Sequence, residues 1–395
     1  MIAITGGHIV PIDGDPIDNG TIVLTDGTIT AVEGPGYAPP AGAEIVDASG
    51  KWVLPGFIDA HVHLGVHEEG EGWAGEDVNE MTSPVTAQVR ALDAINPAEE
   101  GFRDAIAGGV LTVNVNPGSG NPVGGQTVAI HCWGRTVDDM VLRSPSGMKS
   151  ALGENPKRVY GERKETPSTR LGTAAVIRSA LVDTANYVAK SAAPDEEPAE
   201  RDLKLEALAR VLKGEIPWRQ HCHRADDIAT ALRIADEFGY RLVIDHGTEA
   251  HLVADKIAAA GVPVLIGPLF TSRSKVEVRN RSLANPGRLA AAGVEISIIT
   301  DHPVVPIDFL VYQAALAVKE GLDPVTALRA ITINPARVLG VEDRLGSLAP
   351  GKDADVVVWS GDPLDVMSRA EIAYQSGREI YRYDPAARQG VYAEP

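Results

Sequence analysis

Four short stretches of the chain carry side chains of the kinds that can hold metal ions. "DAHVHLG" at 59–65 supplies His61 and His63, and "QHCHR" at 220–224 supplies His221 and His223. "RLVIDHG" at 241–247 places His246 before a glycine, and "IITD" at 298–301 ends in Asp301. In a strand, residues i and i+2 point to the same side, so His61 and His63 aim two imidazoles at one place. The histidines His61, His63, His221 and His246 and the carboxylate of Asp301 fall where strand patterns give way to loops. Together they form the nitrogen and oxygen donor set of a Zn²⁺-type site with a position left open for water.

The surrounding pattern supplies strands to position them. The first ~50 residues alternate as β-structure. In "TIVLTDGTITAVEG" (21–34), Asp26-Gly27 marks a hairpin. "VLPGFIDAHVH" reads as the first strand of a second region, followed by 108–116, 126–134, 147–153, 217–223, 241–247, 262–268 and 294–301. "ADDIATALRIADEFG" has Ile228, Leu232 and Ala235 on one helical face, with Gly239 at its end. "TEAHLVADKIAAAG" reads as a helix starting at a Thr248 N-cap, and helices are also expected around 306–320 and 324–339. Eight strands with intervening helices predict an α/β fold, a (β/α)₈ TIM barrel over 54–344. Residues 154–216 must add a lid or extra helices. "NVNPGSGNPVGGQ" reads as a βα loop. After about residue 345 β-character returns, with a second hairpin in "YQSGREIYRYD", so 1–53 and 345–395 are expected to pair as a small β-sandwich domain.

"LPGFIDAHVHLG", "IITD" followed by His302 and Pro303, and "NPARVLGVEDRLGSLAPGKDADVVVW" resemble the amidohydrolase superfamily of metal-dependent hydrolases, in its imidazolonepropionase-like and dipeptidase-like branch. The resemblance implies that His61 and His63 hold the more buried metal. His221 and His246 then hold a second metal or complete a mononuclear site, and Asp301 touches metal and shuttles the proton. It also implies a carbamylated lysine at the end of the fourth strand, for which Lys149 in "SGMKSALGE" is the match. Should Lys149 not bridge, Glu154 supplies a carboxylate or the site is mononuclear. The expected cofactor is one or two divalent metals, zinc first, with iron or manganese as alternatives.

The remaining candidates are open to two readings each. His223 lies on the loop after its strand, as a proton relay or substrate group or as a neighbour of the site. His251 is an active-site polariser or a histidine on a helix surface. His131 reaches the mouth if the third strand is placed correctly. Arg273 pairs with a substrate carboxylate through its planar fork or stays on the surface. The expected reaction is hydrolysis of a C–N bond in a small amide or cyclic amide. Asp301 takes the proton from water, and Asp301 or His223 returns one to the leaving nitrogen. A mononuclear heterocycle deaminase is the nearest alternative, and a non-catalytic scaffold ranks last because no ligand is missing.

A net charge of −18 argues against nucleic acid or anionic membrane as partner. The acidic patches at 67–77 and 194–202 read as solvated surface. Cys132 and Cys222, the only two cysteines, are too few for a disulfide framework and point to a reduced, cytoplasmic protein. No basic leader or apolar run near ~18 residues is visible. A small-molecule substrate and a homo-oligomer are the expected partners.

Overall fold

A computed structural model of the chain describes residues 1–193, 200–272 and 274–395. Part of the acidic stretch at 194–202, and Arg273, lie outside the described residues. The N-terminal strands Ile2–Ile9, Ile17–Thr25 and Thr28–Glu33 form an antiparallel meander. Its expected turn is present: Asp26 (φ 49°) and Gly27 (φ 84°) both adopt the left-handed conformation of a type I′ hairpin. Ser376 (φ 48°) and Gly377 (φ 72°) repeat it between Ala370–Gln375 and Arg378–Asp384.

The two flanks meet at Trp52–Pro55, which runs antiparallel to Val356–Trp359. Hydrogen bonds connect all of these strands into one nine-stranded sheet. Ile4, Ile22 and Val53 from one flank are buried with Val356, Val358 and Tyr374 from the other.

The second sheet has eight strands in chain order: β1 (Phe57–Val62), β2 (Val110–Val115), β3 (Val123–His131), β4 (Val141–Ala151), β5 (Trp218–Cys222), β6 (Leu242–His246), β7 (Val264–Ile266) and β8 (Ile296–Ile298). β5 to β8 are buried on both faces, the pattern of parallel strands covered by helices. Beyond β8 the chain returns to β1: Asp301 N donates to His61 O (3.2 Å) and His63 N to His302 O (2.9 Å). The sheet is thereby nearly closed.

One strand departs from the expected repeat. β3 runs antiparallel to both β2 and β4, so β2–β3–β4 is a meander rather than two βα units. The Gly/Pro-rich stretch expected to be a βα loop is its first turn, with no helix between β2 and β3 and only the single-turn helix Val137–Met140 between β3 and β4.

The helices mostly fall where the pattern places them. Ala225–Phe238 has Asp226 and Asp227 in its first turn and ends on Gly239 in the left-handed conformation. Asp323 caps Pro324–Arg329 by accepting from Thr326 N (2.8 Å). Residues 324–339 are two helices, however, broken before Ile333–Leu339 at Thr332, whose Oγ1 donates back to Leu328 O (2.6 Å). The helix expected from Thr248 starts later, as a 3₁₀ turn at Ala250–Val253 and then Ala254–Ala259. Between β4 and β5 the described residues form three helices, Glu154–Glu162, Arg170–Ala192 and Leu203–Leu212. Among the described residues no helix is long and apolar enough to cross a membrane.

Candidate metal centre

His61, at the end of β1, has no exposed surface. Its Nδ1 stands 3.0 Å from Asp245 Oδ2, and its Nε2 lies 3.3 Å from Asp301 Oδ1 and 3.0 Å from Lys149 Nζ. Two residues on, His63 donates from Nδ1 to Asn116 O (2.8 Å), and its Nε2 lies 3.3 Å from the same Asp301 oxygen. His246 Nδ1 donates to Gly267 O (2.9 Å). In His63 and His246 Nδ1 donates to a carbonyl, and in His61 it stands in ion-pair contact with a carboxylate, while the other nitrogen faces the mouth, the arrangement that fixes a ligand's tautomer.

His221 differs. Its ring is buried and neither nitrogen has a hydrogen-bond partner. Its centroid lies 4.4 Å from that of His246 and 4.8 Å from that of His223. Buried polar atoms are nearly always paired, so an orphaned imidazole among imidazoles fits a ring that would ligate a cation.

Ligand atoms of His221, His223 and His246 lie within 4.8 Å of one another, as do those of His61, His246 and Asp301. His246 belongs to both groups. His223, expected on a loop with no necessary aim at the metal, is drawn into the first group. Its Nδ1 meets Thr248 Oγ1 (2.9 Å), and its ring stacks on His246 at 4.9 Å.

The backbone explains how the sixth and eighth strands deliver their residues. In register, His221 pairs with Asp245, so simple alternation turns Asp245, not His246, to the interior. His246 (φ 74°) and Asp301 (φ 56°) are both in the left-handed conformation, which non-glycine residues seldom adopt and which clusters at functional sites. That twist aims both side chains at the mouth.

Electrostatics follow from burial. Desolvation holds the His221 and His223 imidazoles well below their ordinary pKa, with His246 adding to it, and lowers His246 itself to about 3. All three rings are therefore neutral near pH 7, as metal ligands must be. Burial pushes the Asp301 carboxyl up, but His246 and the contacts to His61 and His63 outweigh it and leave the group well below the usual range. Lys149, fully buried, is pulled down to about 8 by desolvation.

A supporting layer lies beneath. Arg219 NH2 donates to Asp245 Oδ1 (3.1 Å) and to Ala60 O (2.7 Å), and both side chains are fully buried. The sequence carried a weak signal for this pair: a charged residue inside each of two strands, Arg219 in "PWRQHCH" and Asp245 in the apolar run "RLVIDHG". Lys275 was also missed; its charge acts on His221, His223 and Lys149.

Other candidates fall elsewhere. His131 ends β3, and because that strand is reversed its end lies at the rim opposite the mouth. There its Nε2 is 3.1 Å from Asp355 Oδ2, so the expected place beside substrate is corrected. Glu154 heads its helix with its N–H held by Glu277 Oε2 (3.1 Å), and His251 sits half-buried in the 3₁₀ turn. Neither joins a ligand group among the described residues.

The model of the "Amidohydrolase family" matches residues 173–382. A solved amidohydrolase from Thermotoga maritima is 45% identical, covers 97% of this chain and 100% of its own, and superposes with a TM-score of 0.93. An imidazolonepropionase of Aromatoleum aromaticum is 30% identical over 87% of this chain and 83% of its own length. The amidohydrolase tasK of Hapsidospora irregularis is also 30% identical, over 88% of this chain, which spans only 38% of that longer protein. On this site, this fold and these likenesses, the chain belongs to the amidohydrolase family, in its imidazolonepropionase-like branch, and is a hydrolase of carbon–nitrogen bonds.

Proposed function

We propose that the chain is a metal-dependent amidohydrolase cleaving the C–N bond of a small amide or cyclic amide. The observation that carries this reading is the pair of ligand groups sharing His246. His61, His63 and Asp301 are assigned to one cation, and His221 and His246 to a second. Lys149, 3.0 Å from His61 Nε2 and with its amine made less basic by burial, is assigned as the carbamylated bridge. Zinc suits the imidazole-rich set, with iron or manganese as alternatives. Such a cation, when bound, acidifies water and polarises a carbonyl.

The chain's own groups do the proton work. Asp301, ionised and facing both His61 and His63, accepts the proton of water at Oδ1 and returns it to the leaving nitrogen. His223, with Nδ1 tied to Thr248, keeps Nε2 free as the relay beside it. Relatives named imidazolonepropionase favour a cyclic amide as substrate. The buried core shared by both flanks supports a sandwich domain of 1–53 plus 345–395 around the barrel at 54–344. Two free, buried cysteines fit a reducing cytoplasm.

Asp301→Asn tests the reading: turnover on a panel of small amides and cyclic amides should vanish while metal content is largely retained. His61→Ala should lose both. Near-wild-type turnover in Asp301→Asn rejects the assignment.

A further inference from the structure

Four buried polar side chains outside the two ligand groups form a chain of hydrogen bonds beside His63. Asn114, Asn116, Thr127 and Ser146 are 0–1% exposed. They come from three successive strands: the end of β2, then β3, then β4. Asn116 Nδ2 donates to Asn114 O (2.9 Å), and Asn114 Nδ2 donates to Asn116 Oδ1 (3.1 Å). Ser146 Oγ donates to Asn114 Oδ1 and lies 2.7 Å from Thr127 Oγ1.

One carbonyl sets the direction of every bond. Asn114 O can only accept, so the Asn116 amide turns its nitrogen towards it and its oxygen towards the Asn114 side chain. That oxygen requires the Asn114 nitrogen, which leaves Asn114 Oδ1 to face Ser146. A serine has one hydroxyl proton. Given to Asn114, it leaves Thr127 as the donor to Ser146 Oγ. The chain of bonds reaches the mouth at Asn116 O, which accepts His63 Nδ1–H (2.8 Å) and so leaves Nε2 free. Asn116 follows the last residue of β2 and precedes Pro117, where the strand leaves the sheet. Its N–H donates to Val62 O (2.9 Å), and its side chain ties it back to Asn114. The same layer packs on the pair that serves His61: a Cβ at Gly147 would stand 3.2 Å from Thr127 Oγ1 and 2.7 Å from Arg219 Cδ.

We propose that Asn116, held by Asn114 and Ser146, is a positioning residue for the hydrolytic centre. It fixes the carbonyl that sets the tautomer and aim of His63, as Asp245 does for His61. The reversal of β3 gains a role, since that strand supplies Thr127, the donor at the far end of the chain of bonds. The consequence for metal affinity rests on the metal-dependent reading; the consequence for the ring tautomer does not.

The test is histidine-selective ¹⁵N NMR of the metal-free full chain, with His63→Gln identifying the His63 signals, beside Zn²⁺ competition against a chelator. Wild type should show His63 protonated at Nδ1 alone. Asn116→Ala should show both tautomers and bind Zn²⁺ at least about fivefold more weakly, short of the ~10–100-fold of losing a ligand's partner outright. Ser146→Ala removes one hydroxyl, should act in the same direction, and decides the matter if Asn116→Ala does not fold. Thr127→Ser keeps the donor and should match wild type. Wild-type ring signals in Asn116→Ala and Ser146→Ala overturn the proposal. A change in Thr127→Ser as large as that in Ser146→Ala also overturns it, because packing rather than hydrogen bonding would then be the cause. Failure of wild type to bind Zn²⁺ sinks the metal-dependent reading, while the ring signals still decide this one.

Discussion

Asp245→Asn exchanges one oxygen for nitrogen, and the structure separates its two costs. The carboxylate faces the Arg219 guanidinium, whose Nε and NH1 already lack partners in a fully buried position. Burial would raise the Asp245 pKa, but Arg219 and His61 together hold it far below the usual range, so the pair is ionised. Removing one partner of such a pair leaves a buried charge and costs about 3–5 kcal/mol. Against a typical total of about 5–15 kcal/mol the fold survives, weakened.

The second cost falls on the metal. The negative charge 3.0 Å from His61 Nδ1 keeps the proton there and leaves Nε2 free to ligate. An asparagine that turns its amide nitrogen away from Arg219 presents it to Nδ1 instead, which moves the ring proton to Nε2. Loss of such a partner lowers metal affinity about 10–100-fold, or about 1.4–2.7 kcal/mol. Guanidinium unfolding of the metal-free chain reads the first cost, and competition against a chelator reads the second. Arg219→Met combined with Asp245→Asn should restore stability without restoring affinity. Wild-type metal affinity in Asp245→Asn would refute the tautomer argument.

Three further perturbations have defined outcomes. Burial lowers His246 in the folded chain to about 3 from its ordinary 6.5, so between these pH values the unfolded chain holds a proton that the folded chain does not. Stability of the metal-free chain should therefore rise with pH across that window, by up to about 1.4 kcal/mol per pH unit for each such histidine. His246→Gln should flatten the slope of acid unfolding, and an unchanged slope counts against the buried neutral ring. With ¹³C-bicarbonate and metal, the wild type should show a carbamate resonance that Lys149→Met lacks; its absence from the wild type dismisses the bridge. Gly267→Ala places a Cβ 2.1 Å from Ile299 O at φ 155°, so the carbonyl that holds His246 must move. It should lose more than about 1 kcal/mol of stability together with metal affinity. Unchanged affinity shows that this carbonyl does not orient the ring.

The mouth was legible where chemistry follows strand alternation. His61 and His63 share a face because they are two residues apart, and β1 delivers them as that rule requires. His246 ends β6 and Asp301 follows β8, yet alternation alone would have turned Asp245 inward. Periodicity does not encode a left-handed non-glycine backbone, so the twist at His246 was invisible. Strand direction was equally hidden, since an alternating pattern reads the same both ways. A signal did exist: the expected second and third strands are separated by 117–125, and nine residues are too few for a parallel crossover. That count also argues against His131 at the mouth. Asp245 and Arg219 are charges within strands, and neighbouring register is needed to see them as a pair.

The strand Trp52–Pro55 is held between Ile2–Ile9 and Val356–Trp359, the second of which comes about three hundred residues later. At a synthesis rate of roughly 5–20 residues per second, one of its edges stays bare for about 15–60 seconds while the whole barrel emerges. Val53 and Leu54, buried in the finished sheet, face water or a chaperone throughout that interval. An open apolar edge is a template for pairing with another chain. The last-made strands therefore act as a clasp on the ribosome's product, and slowing translation near residue 350 lengthens the period in which nascent chains are most prone to aggregate.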